Sequence, residues 1–318
     1  MNTVNLVVTC TKKKTREPGR DLMLRHLRGA STELRAAAWL ERLDRHTGEP
    51  LAARDLYAGD HWSIAKELDG SRLGRGSRVR VWVASAGYGL LSMDNPLQPY
   101  SATFAVNHPD SVVGKPFRPS PLAAQRGWWR LVTNWAGPWG PQPRCLADLA
   151  REYPRSPLVV VASEIYLRAL RDDLADARQA LADPNWMSII SAGTRRLDGL
   201  QENMVACDAR LQSLVGGARR SLNIRLTRHL LQNLGSSLPA LDALNALCSD
   251  WLASAPDLKR YDRRPRSDQQ VRRFIARTLQ REPDGLAAQE GHLAVGRAQL
   301  VDRQPVSERH LPLEIAHR

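Results

Sequence analysis

Four short runs rich in valine and isoleucine, residues 4–8, 79–84, 158–161 and 187–190, decide most of what this chain can fold into. Each is too short for a helix and carries the β-branched residues of a buried strand. Each also ends at once in small polar residues. The sequences are Thr9-Cys10-Thr11-Lys12-Lys13-Lys14, Ser85-Ala86-Gly87-Tyr88-Gly89-Leu90, Ser163-Glu164 and Ser191-Ala192-Gly193-Thr194-Arg195. Helical patterns at 22–43 and 165–181 lie between the runs. Alternation of this kind predicts an α/β fold, a mostly parallel doubly wound sheet with helices on both faces. In such sheets ligands bind outside the carboxyl ends of the strands, so the four polar loops are expected to gather along one edge.

The rest of the chain has other patterns. Residues 96–143 hold many prolines and Trp128, Trp129, Trp135 and Trp139 without a clean period. They read as a long excursion over the strand ends, either a lid or an ordinary packed connection. From residue 201 the pattern is helical. Leu222, Leu226, Leu230 and Leu234 form an apolar stripe, with Arg220, Arg225 and Arg228 on the opposite face. Between Arg210 and Leu230 there are five arginines and no acid. A second basic group, Lys259, Arg260, Arg263, Arg264 and Arg266, precedes a predicted helix over 267–280 that adds Arg272, Arg273 and Arg277. The expected organisation is an α/β domain at 1–200, an Arg-rich helical region contacting DNA at 201–281, and a loosely ordered tail at 282–318.

Charge bears on the partner. Lys and Arg number 46 against 33 acidic residues, a formal net charge of +13. Guanidinium groups match phosphate oxygens and release condensed counterions, so a polyanion fits. A codon bias toward arginine would produce the same excess. Cys10, Cys145, Cys207 and Cys248 are far apart, without zinc-ligand spacing, and no metal or other cofactor is expected. The first ten residues read as a strand and not as a signal peptide, and no apolar run approaches the ~18 residues a membrane helix needs. A cytoplasmic protein with reduced thiols and no membrane contact is expected.

Several residues are candidates for chemistry. Lys12, Lys13 and Lys14 follow a strand, where they can hold phosphate, but the Gly-Lys-Ser/Thr ending of a nucleotide-binding loop is absent. Gly87 permits close backbone approach, Tyr88 and Tyr100 offer faces for a base, and Asp94 supplies a carboxylate; a turn with two packed tyrosines is the alternative. Glu164 is either a catalyst or a helix-start residue favoured by the helix dipole. His108 is a general-acid candidate or a structural loop histidine. Arg195, Arg196, Arg210, Arg219, Arg220, Arg225 and Arg228 are the expected backbone contacts.

Five segments carry a resemblance: residues 7–14, Asp55-Leu56-Tyr57, residues 85–91, Gln98-Pro99-Tyr100 and Ala162-Ser163-Glu164-Ile165-Tyr166. In this order, over roughly residues 4 to 200, the chain resembles the YaaA-like group of bacterial proteins. The resemblance implies DNA binding and a setting of DNA base modification or phage defence. It also implies an architecture related to uracil-DNA glycosylases and a pocket at Ser85, Gly87, Tyr88, Asp94 and Tyr100. The Gly-Gln-Asp-Pro-Tyr motif of those glycosylases is absent.

The leading expectation is a DNA N-glycosylase acting on double-stranded, base-modified DNA, such as phage DNA with hypermodified cytosine. Asp94 or Glu164 would face the oxocarbenium sugar and position water, and His108 would assist the departing base. A base-modifying enzyme of a 7-deazaguanine-type pathway and a non-enzymatic DNA-binding stress protein are the alternatives.

Overall fold

The computed structural model describes residues 3–29, 31–74, 76–114, 120–194, 196–235, 238–258 and 267–281. The four valine-rich runs are strands. They are β1 (Thr3–Thr9), β2 (Ser77–Ser85), β4 (Leu158–Val161) and β5 (Met187–Ile190), with β3 (Gly89–Ser92) following β2. Val4, Leu6, Val7 and Val8 of β1 are all buried, the continuous pattern of a central parallel strand. Its one polar residue in that run, Asn5, is buried too, with its Oδ1 accepting a hydrogen bond from Trp82 Nε1 at 3.1 Å.

The sheet order is β2-β1-β4-β5, and these four strands run parallel. The two-residue strand Arg72–Leu73 and β3 pair antiparallel with the outer side of β2. The chain leaves β1 for β2 on one side and later adds β4 on the other. The strand order therefore reverses at β1, and the crevice between the β1 and β4 ends is the topological switch point where doubly wound sheets bind ligands.

Helices α1 (Thr32–Arg45), α3 (Pro121–Thr133), α4 (Leu146–Glu152), α5 (Glu164–Ala169) and α6 (Arg171–Ala180) pack in one group, and α3 lies against β3. A second group contains α2 (Asp60–Leu68), α7 (Leu222–Asn233) and α8 (Leu241–Ser254), with α2 against β2 and α7 against β4.

Three expectations need correction. The helical pattern at 22–43 becomes short 3-10 turns up to His26, then α1, because Ser31 caps it by accepting a hydrogen bond from Leu34 N. The excursion at 96–143 contains α3, which starts at a capping Ser120 followed by a proline that needs no donor. The helices after residue 200 do not form a separate region. Met1–Leu258 is one compact unit, and Leu222, Ile224, Leu226, Leu230 and Leu231 belong to its core.

The remaining residues form a second unit, in which α9 (Asp268–Arg281) is described; Arg272, Arg273 and Arg277 are exposed on it. Lys259, Arg260, Arg263, Arg264, Arg266 and the 282–318 tail lie outside the described residues. No helix among the described residues is long and apolar enough to cross a membrane.

Candidate functional site

The three lysines after β1 are not equivalent. Residues 13–15 run antiparallel to 56–58, with Thr15 N donating to Leu56 O at 2.9 Å and Ala58 N to Lys13 O at 3.0 Å. Alternation along this short ladder sends neighbouring side chains to opposite sides. Lys12 and Lys13 are exposed, whereas Lys14 turns inward. Its ammonium lies 4.4 Å from the centre of the Tyr100 ring and 5.6 Å from that of Tyr57. Burial lowers the Lys14 pKa, and the charges of Cys10, Glu17 and Asp110 oppose that shift in part.

Around this ammonium stands a cluster of neutral hydroxyls. The Tyr100 hydroxyl is 2.7 Å from Ser85 Oγ and 2.9 Å from the Tyr57 hydroxyl, and the Tyr166 hydroxyl is 3.1 Å from Cys10 Sγ. Burial holds the pKa of all three phenols well above the ordinary tyrosine value. They therefore serve as neutral hydrogen-bonding groups. Phe104 meets the Tyr166 ring edge-on at 5.1 Å, which brings the segment after Tyr100 over this corner.

The loop after β2 is the scaffold for Tyr100. Ser85 Oγ accepts hydrogen bonds from Gly87 N and Tyr88 N, Trp39 Nε1 donates to Gly87 O, and Trp128 Nε1 donates to Ala86 O. Arg144 donates to Tyr88 O and Leu90 O. A Cβ on Gly87 would stand 2.5 Å from the Tyr100 ring, so only glycine admits that ring. The loop amides at Gly87 and Tyr88 are thus already engaged. Tyr88 and Tyr100 are buried with their hydroxyls tied, so neither offers the open stacking face expected of it.

The carboxylates fall in different places. Asp94 lies away from the strand-end edge, 77% exposed and paired with Arg54 at 2.5 Å. Residues 89–92 form β3, which runs back along β2 until Ser92 stands opposite Trp82, and Asp94 follows there. Glu164 does stand at the edge, in the first turn of α5 after β4, paired with Arg168 at 2.5 Å. His108 Nδ1 accepts a hydrogen bond from Asp110 N at 3.1 Å, a turn-forming role.

The sequence reading passed over Asp110, a wholly buried carboxylate that accepts from Arg25 N and Arg25 Nε, both at 2.9 Å, and from Ser101 Oγ at 2.7 Å. Burial alone would raise its pKa, but these donors and the Arg25 charge hold it down to about 2. It ties the excursion to the 3-10 turns near Lys14.

The arginines are less available than their run suggests. Arg225 is ion-paired with Asp60, Arg228 with Glu67 at 2.9 Å, Arg210 with Asp208 at 2.9 Å, and Arg196 with Asp198 at 3.1 Å. The acids missing from residues 210–230 come chiefly from α2, against which α7 packs. Arg195 lies outside the described residues. Arg219 and Arg220 are exposed and have no ion pair among the described residues. They stand one turn before Asn223, whose amide donates to Ala162 O and whose Oδ1 accepts from Ala192 N, at the ends of β4 and β5.

Arg225→Ala and Arg228→Ala are each expected to cost about 0.2–1 kcal/mol of stability. Arg219→Ala and Arg220→Ala, at exposed side chains without an ion pair among the described residues, should each change it by less than about 0.5 kcal/mol. Urea unfolding separates them, and an equal loss in both pairs contradicts this assignment.

His61 was also missed. It sits in the first turn of α2 against the Thr9 backbone, with Nε2 buried and unpartnered among the described residues. Burial lowers its pKa to about 4, against a weaker upward effect of Asp60. The unfolded chain then binds an extra proton between about pH 6.5 and 4, so stability is complete above this window and falls as the pH drops through it. The loss should be on the order of 2 kcal/mol and should vanish in His61→Asn, as measured by urea unfolding from pH 7 to 4. An unchanged pH profile in that variant contradicts it.

Comparison with protein-family models, curated proteins and solved structures found no match to this chain.

Proposed function

We propose that this chain is a DNA N-glycosylase that turns a modified base out of double-stranded DNA and cuts its glycosidic bond, leaving an abasic site, in defence against phage. The observation that carries the reading is the inward Lys14 ammonium, seated on Tyr100 among neutral hydroxyls at the β1–β4 switch point. An extrahelical nucleotide presents a phosphate, a sugar and a neutral base. This corner opposes them with one cation, the half-buried Tyr166 and Cys10 and, at the α5 start, the carboxylate of Glu164. The reading takes the two helix groups to cover opposite faces of the sheet, as right-handed crossovers require.

Lys12, Lys13, Arg219 and Arg220 hold the backbone on either side. Turning out a base costs a few kcal/mol, which such contacts offset. Glu164 faces the developing oxocarbenium sugar and orients the water that finally enters at C1′. Asp94 has no part in this.

The test uses DNA with plain or hypermodified cytosine and an aldehyde-reactive probe that counts abasic sites. Aldehydes are expected on modified DNA alone. Glu164→Gln should slow their formation roughly 100-fold, and Asp94→Asn should leave it unchanged. Parental rates in Glu164→Gln overturn the role given to that carboxylate.

A further inference from the structure

We propose that Lys14 is a nucleophile that forms a covalent imine with C1′ of the deoxyribose, so that base removal passes through an enzyme-bound sugar. The inference rests on the glycosylase reading and gives it a mechanism that the charge of the loop alone does not require.

Its ground is what Lys14 lacks and where it sits. Among the described residues no acid pairs with its ammonium, and its one hydrogen bond is a long one, 3.4 Å, to Thr11 O. Two N–H directions are therefore uncommitted. Lys66, by contrast, is solvent-exposed with Asp55 at 3.7 Å. The Tyr100 face positions Nζ in its protonated form, and loss of one proton exposes the lone pair there. The ladder from residue 13 to 15 fixes the stem. Lys14 is half-buried beside Tyr100, whose hydroxyl meets Ser85 at the end of β2.

Chemistry favours lysine here. Of 46 basic side chains only six are lysines, and an arginine cannot serve as an amine nucleophile. Lowering of the Lys14 pKa by burial raises the fraction of free amine, the usual way an enzyme activates a lysine for imine formation.

The free amine attacks C1′, and the bond from C1′ to the base breaks with its electron pair leaving on the base, which takes a proton from water. The C1′–O4′ bond then opens, O4′ takes a proton from the attached nitrogen, and an iminium remains. The hydroxide left by that water adds to C1′ and expels Nζ as the free amine, leaving an abasic aldehyde. One water is consumed, and no oxidant or cofactor is needed.

The experiment removes the need to know the target base. The full chain is mixed with a duplex oligonucleotide that carries one preformed abasic site, and sodium borohydride is added to reduce any imine. The expected result is a covalent protein–DNA adduct whose peptide mass maps to Lys14. Lys14→Arg keeps the charge and should lose the adduct roughly 100-fold while binding the duplex within about 3-fold of the parent. Lys66→Arg, at an exposed lysine beside Asp55 with no part in the site, should retain the adduct.

A parental chain that binds the duplex yet gives no adduct overturns the proposal, as does an adduct undiminished in Lys14→Arg. Base release from modified DNA is measured separately. Release without an adduct sinks the imine and leaves the glycosylase reading standing; an adduct at Lys14 without release supports the amine chemistry and sinks that reading.

Discussion

An Arg144→Met variant is expected to unfold with about 4 kcal/mol less free energy than the parent, the largest stability loss we anticipate from one substitution. Arg144 is buried, and its guanidinium donates to Leu90 O at 2.8 Å, to Tyr88 O at 2.5 Å and to Trp135 O at 3.0 Å. It also lies 4.5 Å from the centre of the Trp139 ring. No acid pairs with it among the described residues; burial lowers its pKa to about 10, with Cys145 and Asp148 opposing. At neutral pH it is still charged, so three carbonyls receive strong donors. Methionine fills similar space but leaves those carbonyls unpaired, at roughly 1–2 kcal/mol each. Urea unfolding measures the loss, and a decrease under about 1 kcal/mol contradicts the account.

Gly87→Ala is expected to affect activity more than stability. The new Cβ would stand 2.5 Å and 2.6 Å from two Tyr100 ring carbons, and that ring is wholly buried and held by Ser85 and Tyr57. Tyr100 must move, which costs about 1–3 kcal/mol of overpacking. The seat of Lys14 moves with it. A displacement of about an ångström at a reacting group is worth roughly 100-fold in rate, so base release should fall by that factor while the protein stays folded at 25 °C. Rates within about 2-fold of the parent, in a variant with the expected loss of stability, show that Tyr100 does not position the site.

How much of this was legible in the sequence depends on how local the cause was. The four parallel strands were readable because burial on both faces demands runs of Val, Leu and Ile, and such runs have few other uses. β3 was hidden. Gly87 and Gly89 read as residues that permit a tight turn or close backbone approach, without a strand after them, whereas Gly89 has φ +77° and turns the chain straight back into one. That reversal is what carries Asp94 away from the edge.

The site divides in the same manner. The inward turn of Lys14 depends on pairing with residues 56–58, far along the chain, and nothing within the lysine triplet marks one member. Asp110 draws its meaning from Arg25, a partner 85 positions away. Local counting also overstated the free arginines, since Asp60 and Glu67 neutralise Arg225 and Arg228 from a helix more than 160 positions earlier. Glu164 was placed correctly at the edge by its position after a strand. Its helix-start role and its pairing with Arg168 were the local half of that reading.

Base excision at the β1–β4 strand ends is tested most directly by the mass of what leaves the DNA. Phage genomes with plain or hypermodified cytosine, incubated with the full chain and passed through a small-pore filter, should yield a free modified base in the filtrate from the modified genome alone. Abasic sites should appear in equal number on the retained DNA. A filtrate with no free base, together with an altered nucleoside or unchanged DNA on the filter, contradicts the account.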